Sequence, residues 1–247
     1  MATVELRGKV ALVTGSARRV GKAIALELAR HGMHQVIHHR NSDQEAESTT
    51  REIAALGVET LIVKADQSEP ADVERMFSAI RERFGRLDVL VNSASTFEPS
   101  SILDMPFDDW KHTFSVNLDG PFLCSQQAAR LMRARNGGGS IVNILDLSAL
   151  KPWKTYPAHS VSKTALAKLT EVMALALGPD IRVNAIALGS ILRDESRTPE
   201  QWESIGKRLP IGHTGDPADA AQAVVFLATQ PFITGTILRV DGGDLLR

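Results

Sequence analysis

Three side chains in the second half of the chain have the types and spacing of an acid–base site. Asp146 closes the apolar run "SIVNILD", and His159 and Lys163 follow in "YPAHSVSK". Residues four apart stand on one face of a helix, so the imidazole and the ammonium would look into the same space. A free histidine titrates near pH 6.5, close enough to neutrality to give or take a proton. An ammonium beside an imidazole favours its neutral form, and a carboxylate such as Asp146 opposes that preference. This chemistry is proton exchange with a small molecule, through the ring or through a water held by Asp146 and His159.

Such residues need a frame, and the hydrophobic pattern supplies one. "KVALVTG", "QVIHHR", "TLIVKAD", "LDVLVNSAS", "SIVNILD", "IRVNAIALG" and "TGTILRVDGG" read as strands. Helical stretches lie between them: "GKAIALELARHG", with an apolar face around Ile24, Leu26 and Leu28, then 43–56, 71–84, 107–135, 157–177 and 217–229. Strands alternating with helices predict a parallel, doubly wound α/β sheet, a Rossmann fold with helices on both faces. With no repeat or linker, the 247 residues fit one domain, 1–247.

The composition narrows the partners. There are 28 basic and 29 acidic residues, so neither nucleic acid nor an anionic membrane is expected, and a small-molecule substrate is. Cys124 is the only cysteine and cannot form an internal disulfide. No apolar run approaches the roughly 20 residues of a membrane span, and "MATVELRGKV" has no signal-peptide core, which gives a cytoplasmic expectation. His31, His34, His38 and His39 resemble a metal cluster, but adjacent strand residues point to opposite faces and no cysteine or carboxylate completes a tetrahedral set, so no metal is expected.

In a sheet of this kind, ligands bind beyond the carboxyl ends of the strands. The first ends in "TGSARRVG", where Gly15 and Gly21 permit a tight turn that aims a helix N-terminus at a pyrophosphate, with Ser16, Arg19 and Val20 in the same turn. Arg19 stands where the middle glycine is usual. The second ends in "HHRNS", with no carboxylate for ribose hydroxyls before Asp43. Arg40, Asn41 and Ser42 suit a 2′-phosphate, so NADPH/NADP+ is the expected cofactor. Asp66, followed by Gln67, would accept from the adenine amino group, and Ser93 and Ala94 after Asn92 let backbone approach the ribose. Asn117, in "FSVNLDG", lies where the long helix would break and turn a carbonyl to water.

Together these segments resemble the short-chain dehydrogenase/reductase family along the whole chain, from "TGSARRVG" through "NSAS" and "SVSK" to "TGTILRVDGG". Arg19, "HHRNS", "NSASTF" and an aspartate at 146 in place of the customary serine are similar to pteridine reductases. That resemblance implies that Arg19 reaches both pyrophosphate and substrate, that Ser95 binds a pterin, and that Phe97 stacks on it opposite the nicotinamide. Alternatively, Phe97 packs beneath a flap. The family further implies a water held by Asn117, a nicotinamide ribose bound by Lys163, and hydride transfer oriented by Lys163, Asn92, Gly189 and Ser190. It also implies a substrate flap at about 189–212, carrying Trp202, and a homo-oligomer, a tetramer of paired helices including the "LTEVMALALG" face.

The chain departs from the family at the proton donor, where a tyrosine is customary and His159 stands. An imidazole ends roughly 2 Å short of a phenol and would need a bridging water to stay within proton-transfer reach. Tyr156 is the only tyrosine, and Pro157 after it puts Tyr156 in an extended approach loop lining the substrate pocket. Three readings follow: an NADPH-dependent reductase of a dihydropterin-like or other small carbonyl or imine substrate; a general carbonyl or 3-oxoacyl reductase; and an NADPH-binding sensor or inactive partner.

Overall fold

The structure is a computed structural model, and it describes residues 3–134, 137–193 and 197–247. Seven strands form one parallel sheet: β1 (Val10–Val13), β2 (His34–His39), β3 (Thr60–Lys64), β4 (Val89–Asn92), β5 (Gly139–Asp146), β6 (Ile181–Leu188) and β7 (Ile237–Val240). Their spatial order is β3-β2-β1-β4-β5-β6-β7, and every neighbouring pair is parallel. The order reverses between β1 and β4, which makes a crevice at the carboxyl ends there. Val10 to Val13 are wholly buried, as expected of a strand covered on both faces.

The helices are α1 (Arg19–Arg30), α2 (Asp43–Ala54), α3 (Pro70–Phe84), α4 (Phe107–Phe114), α5 (Gly120–Arg133), α6 (Pro157–Leu177), α7 (Pro199–Arg208) and α8 (Pro217–Thr229). Five of them carry a proline in the first turn, where its missing N–H is no loss. Gly85 ends α3 in the left-handed conformation at φ 64°. One sheet face packs on Ile24 and Leu28 of α1, Ile53 of α2, and Val224 and Leu227 of α8. The other packs on Phe77 and Ile80 of α3, Met132 of α5 and Met173 of α6. Each such side chain contributes roughly 1.5–3 kcal/mol by leaving water. In α1, Ile24 and Leu28 are buried while Leu26 packs at the core's margin.

The helix expected over 107–135 is interrupted where Asn117 suggested a break. Ser115–Asp119 form a π-helical turn between α4 and α5, and Arg135 lies outside the described residues. Within the flap segment, α7 is closed by a capping box of Thr198 and Gln201, while 194–196 lie outside the described residues. Among the described residues no helix is long and apolar enough to cross a membrane.

Candidate active site

A cleft of about 880 Å³ runs along the carboxyl ends of the strands. At its floor β1 passes into α1 through a turn with Gly15 at φ 67° and Arg19 at φ 57°. The turn is too tight for side chains at its glycines: a Cβ on Gly21 would overlap the Gly15 carbonyl, and one on Gly15 would press on Ala94. The opening N–H groups of α1 have no intrahelical partner and face an anion-binding position. Arg19 therefore keeps the left-handed backbone that a middle glycine would adopt, and its side chain lines the cleft.

Around this turn the cleft is walled by Arg40, Asn41, Ser42, Asp66 and Gln67, and then by Ser93, Ala94 and Ser95. Arg40 Nη1 lies 3.3 Å from Asp66 Oδ2, and Asp66 Oδ1 accepts from the N–H and hydroxyl of Ser68. Burial opposes the Asp66 charge, but the Ser68 bonds and then Arg40 hold the carboxyl below its usual range. Gln67 Nε2 donates to Ala94 O and Val116 O, so this amide clamps the wall from behind.

Several expected contacts are displaced. Ser16 is buried, with its hydroxyl bonded to His38 N, and does not line the cleft. Asn92 is spent inside the fold, donating to Ser125 Oγ and Asn143 Oδ1. At the end of β6 the wall is Leu188 and Leu192 rather than Gly189 and Ser190, and a Cβ on Gly189 would overlap Asp241. Asn117 is fully buried: its Oδ1 accepts from Thr96 N and Ser95 Oγ, and its Nδ2 donates to Thr96 O and Ser162 Oγ. Its side chain braces the loop after β4 and does not face the cleft.

Asp146, His159 and Lys163 do converge on the cleft wall. Asp146 Oδ2 is 2.6 Å from His159 Nε2, and Oδ1 accepts from Ser148 N at 2.8 Å. His159 Nδ1 is 3.0 Å from Thr96 O and 3.3 Å from Asn117 Nδ2. With Nε2–H donating to the Asp146 carboxylate, a neutral ring accepts at Nδ1 from Asn117 Nδ2, whereas an imidazolium donates there to Thr96 O. The imidazole is 3% exposed and held at both nitrogens. Its Nε2 is bonded directly to Asp146.

Burial works against the Asp146 carboxylate, but the His159 hydrogen bond, the charges of Lys163 and His159, and the Ser148 bond hold it below the usual range. Lys163 Nζ donates to Ile144 O at 2.9 Å. Burial pushes this ammonium down from its ordinary value, and Asp146 opposes the shift.

Phe97 lines the cleft and is backed by Tyr156, stacked at 4.0 Å between centroids and 12° between planes. Phe97 also meets the His159 ring edge-to-face at 4.8 Å. Tyr156 precedes α6 in a non-helical conformation, φ −138° and ψ 59°. It does not line the cleft: Phe97 does, so the approach-loop placement holds and the pocket-lining one does not.

Sequence reasoning missed three groups. Arg18, one residue before Arg19, lines the same cleft, and a second basic residue beside a phosphate turn was a usable signal. Thr14 Oγ1 accepts from Ser93 N and Ala94 N, tying β1 to β4, and nothing in its local sequence marks it. His38 Nδ1 accepts from Gly15 N and its Nε2 bonds Ala65 O. Of the other histidines in that region, His34 Nδ1 accepts from Glu59 N. Among the described residues no group of three or more His, Cys, Asp or Glu is placed to hold a metal ion.

A glycine turn at the switch point of a parallel sheet, with a lysine lining the same cleft, is the arrangement of the dinucleotide-binding class. The sequence profile described as enoyl-(acyl carrier protein) reductase matches residues 15–244. An L-rhamnose 1-dehydrogenase (NAD(P)(+)) of Sphingomonas sp. (strain SKA58) is 37% identical over 245 residues, 96% of this chain and 96% of that protein. A 3-oxoacyl-[acyl-carrier-protein] reductase of Synechocystis sp. (strain ATCC 27184 / PCC 6803 / Kazusa) is 34% identical over 98% of each chain. The crystal structure of a gluconate 5-dehydrogenase from Burkholderia cenocepacia J2315, in complex with NADP and tartrate, superposes with a TM-score of 0.90 at 31% identity, covering 98% of each chain. The chain belongs to the short-chain dehydrogenase/reductase family and is an oxidoreductase of that family.

Proposed function

We propose that this protein is an NADPH-dependent reductase of a small, flat carbonyl or imine substrate, with a dihydropterin-like ring as the favoured class. The observation that carries the reading is the shared cleft: the glycine turn, Arg18 and Arg40, Phe97, and the Asp146–His159–Lys163 group all line one space. Two guanidinium groups at the adenosine end, with no carboxylate at the tip of β2, favour a 2′-phosphate. Phe97, braced by Tyr156 on one side, offers a ring face to a planar substrate. The nicotinamide cofactor, when bound, supplies the hydride.

The residues of the chain then have separate tasks. Lys163 brings a positive charge to the reacting end, where it binds and orients the ribose. Asp146 is the carboxylate whose side chain retains exposure, 21%, towards the cleft. His159, bonded at both nitrogens, aims Asp146 rather than touching substrate. A water on Asp146 delivers the proton to the reduced substrate, and solvent neutralises the hydroxide left behind. The enzyme is tested on dihydropterins, simple ketones and sugar lactones by NADPH absorbance. Turnover on dihydropterins above the others is expected. A general carbonyl or sugar oxidoreductase, favoured by the names of the relatives, would show the reverse order, and tight NADPH binding without turnover would mark a sensor or an inactive partner.

The protein acts within an oligomer of its own copies, a tetramer. A groove of about 340 Å³ between α5 and α6 is lined by Phe122, Ala129, Leu169, Val172 and Met173. Val172 and Leu175, at 53% and 87% exposure, extend this apolar face on α6, and helix pairing with a second copy would cover it. Light scattering at four times the monomer mass is the expected result. No nucleic acid or membrane partner is proposed, and the cytoplasm remains the proposed location.

A further inference from the structure

His38 sits where three strands end. Its Nδ1 accepts from Gly15 N at 3.0 Å, and its Nε2 lies 3.0 Å from Ala65 O just past β3. An N–H donor faces Nδ1 and a carbonyl faces Nε2, so only the neutral ring with its proton on Nε2 satisfies both. Its own backbone completes the clasp, His38 N donating to Ser16 Oγ and Ser16 N donating to His38 O at 3.0 Å. The side chain is 2% exposed yet forms part of the cleft wall.

We propose that His38 is the positioning residue of the dinucleotide turn: its neutral Nε2–H tautomer fixes the direction of the Gly15 peptide, and thereby the curvature that presents the first N–H groups of α1 to the pyrophosphate. A proton on Nδ1 would set two donors against each other and release the turn. This inference rests on the dinucleotide reading of the cleft and is independent of the substrate. The electrostatics agree with it. Burial lowers the His38 pKa from 6.5 to about 4; the Ala65 hydrogen bond and Asp66 act against that shift and His39 reinforces it. Arg18 and Arg40 line the same cleft. The unfolded chain thus takes up a proton below pH 6.5 that the folded protein refuses until about pH 4. Stability is full above 6.5 and falls as pH drops towards 4, the His38 contribution alone reducing the folding equilibrium roughly 100-fold.

The test uses the whole protein with NADP+ as ligand, comparing wild type with His38→Asn and His38→Leu. Asparagine keeps an uncharged acceptor near the Nδ1 position, and leucine keeps bulk without one. At pH 7, His38→Asn should bind NADP+ within about threefold of wild type and His38→Leu at least tenfold more weakly. Between pH 6.5 and 4 the urea midpoint of wild type should fall more steeply than that of His38→Asn, since His39, Asp66 and both arginines are common to the two. Long-range ¹H–¹⁵N NMR of wild type at pH 7 should place the proton on Nε2, and the Gly15 amide should exchange slowly. This measurement judges the clasp even if the leucine variant fails to fold. A proton on Nδ1, or a leucine variant that binds NADP+ as wild type does, overturns the role of His38. Wild-type protein that binds neither NADP+ nor NAD+ overturns the dinucleotide reading itself.

Discussion

At the end of β1 the cleft is shaped by a backbone turn with no room for Cβ atoms, and at the ends of β4 and β5 by the side chains of Asp146, His159 and Lys163. In the first region Gly15 and Gly21 are needed because neighbouring main chain leaves no room for a Cβ, and the anion-binding groups are peptide N–H groups. Arginine can replace a glycine at position 19 there without disturbing the turn, because the replaced atoms were never the ligand-binding ones. In the second region every bond has a particular side chain on at least one end. Asp146 is aimed by His159, His159 is fixed by Thr96 and Asn117, and Lys163 is anchored on Ile144. On the proposed reading, an imidazole in place of a phenol there would alter how the proton travels. A position whose side chain makes none of the holding bonds, such as 19, tolerates substitution, whereas His38, Asp146 and His159, which make them, do not.

This contrast is most sharply tested at Lys163. Lys163→Met removes the buried ammonium and should lower kcat by about 1000-fold, within the range of lost acid–base and electrostatic catalysis, while NADP+ binding measured by calorimetry weakens far less. Equal losses in both would mean that the two regions are not separable. Next in size is His159→Tyr, which places a phenol beside the same ammonium. Simple ketone reduction, followed by NADPH absorbance, should rise about 100-fold, with a smaller change for dihydropterins, whose proton comes through water. Abolished turnover with NADPH still bound would make the imidazole itself the acid.

The backbone region is probed by Arg40→Ala. Wild type should prefer NADPH over NADH at least tenfold, equivalent to about 1.4 kcal/mol, and the variant should bring fluorescence-measured affinities towards equality. Loss of all dinucleotide binding would assign Arg40 to the fold, through Asp66, instead of to the phosphate. The smallest effect is expected at Tyr156→Leu. Removing the ring stacked behind Phe97 should raise KM about threefold with kcat unchanged, which is the worth of one aromatic pair.

The same division explains what could be read in advance. α6 begins at Pro157 and α8 ends at Thr229 as expected from their proline starts and apolar runs, and the parallel sheet follows from strands alternating with helices. The glycine turn was legible because its spacing is a backbone requirement. Asn117 was legible as a helix break and not as a buried brace, since its four bonds reach residues far away in sequence. Asn92 was misplaced for a similar reason: its amide is settled by what packs behind it, Ser125 and Asn143, both distant in sequence. The direct Asp146–His159 bond depends on how near α6 lies to the end of β5, a tertiary distance absent from any local pattern.

Arg19 is the one non-glycine residue with positive φ among those described. An L-residue in that conformation costs about 1–2 kcal/mol compared with the right-handed form, and glycine would remove the cost. The residue is exposed and lines the cleft. The chain thus carries a standing conformational load in the floor of its cleft, and Arg19→Gly should give a more stable protein that has lost one guanidinium from the cleft wall.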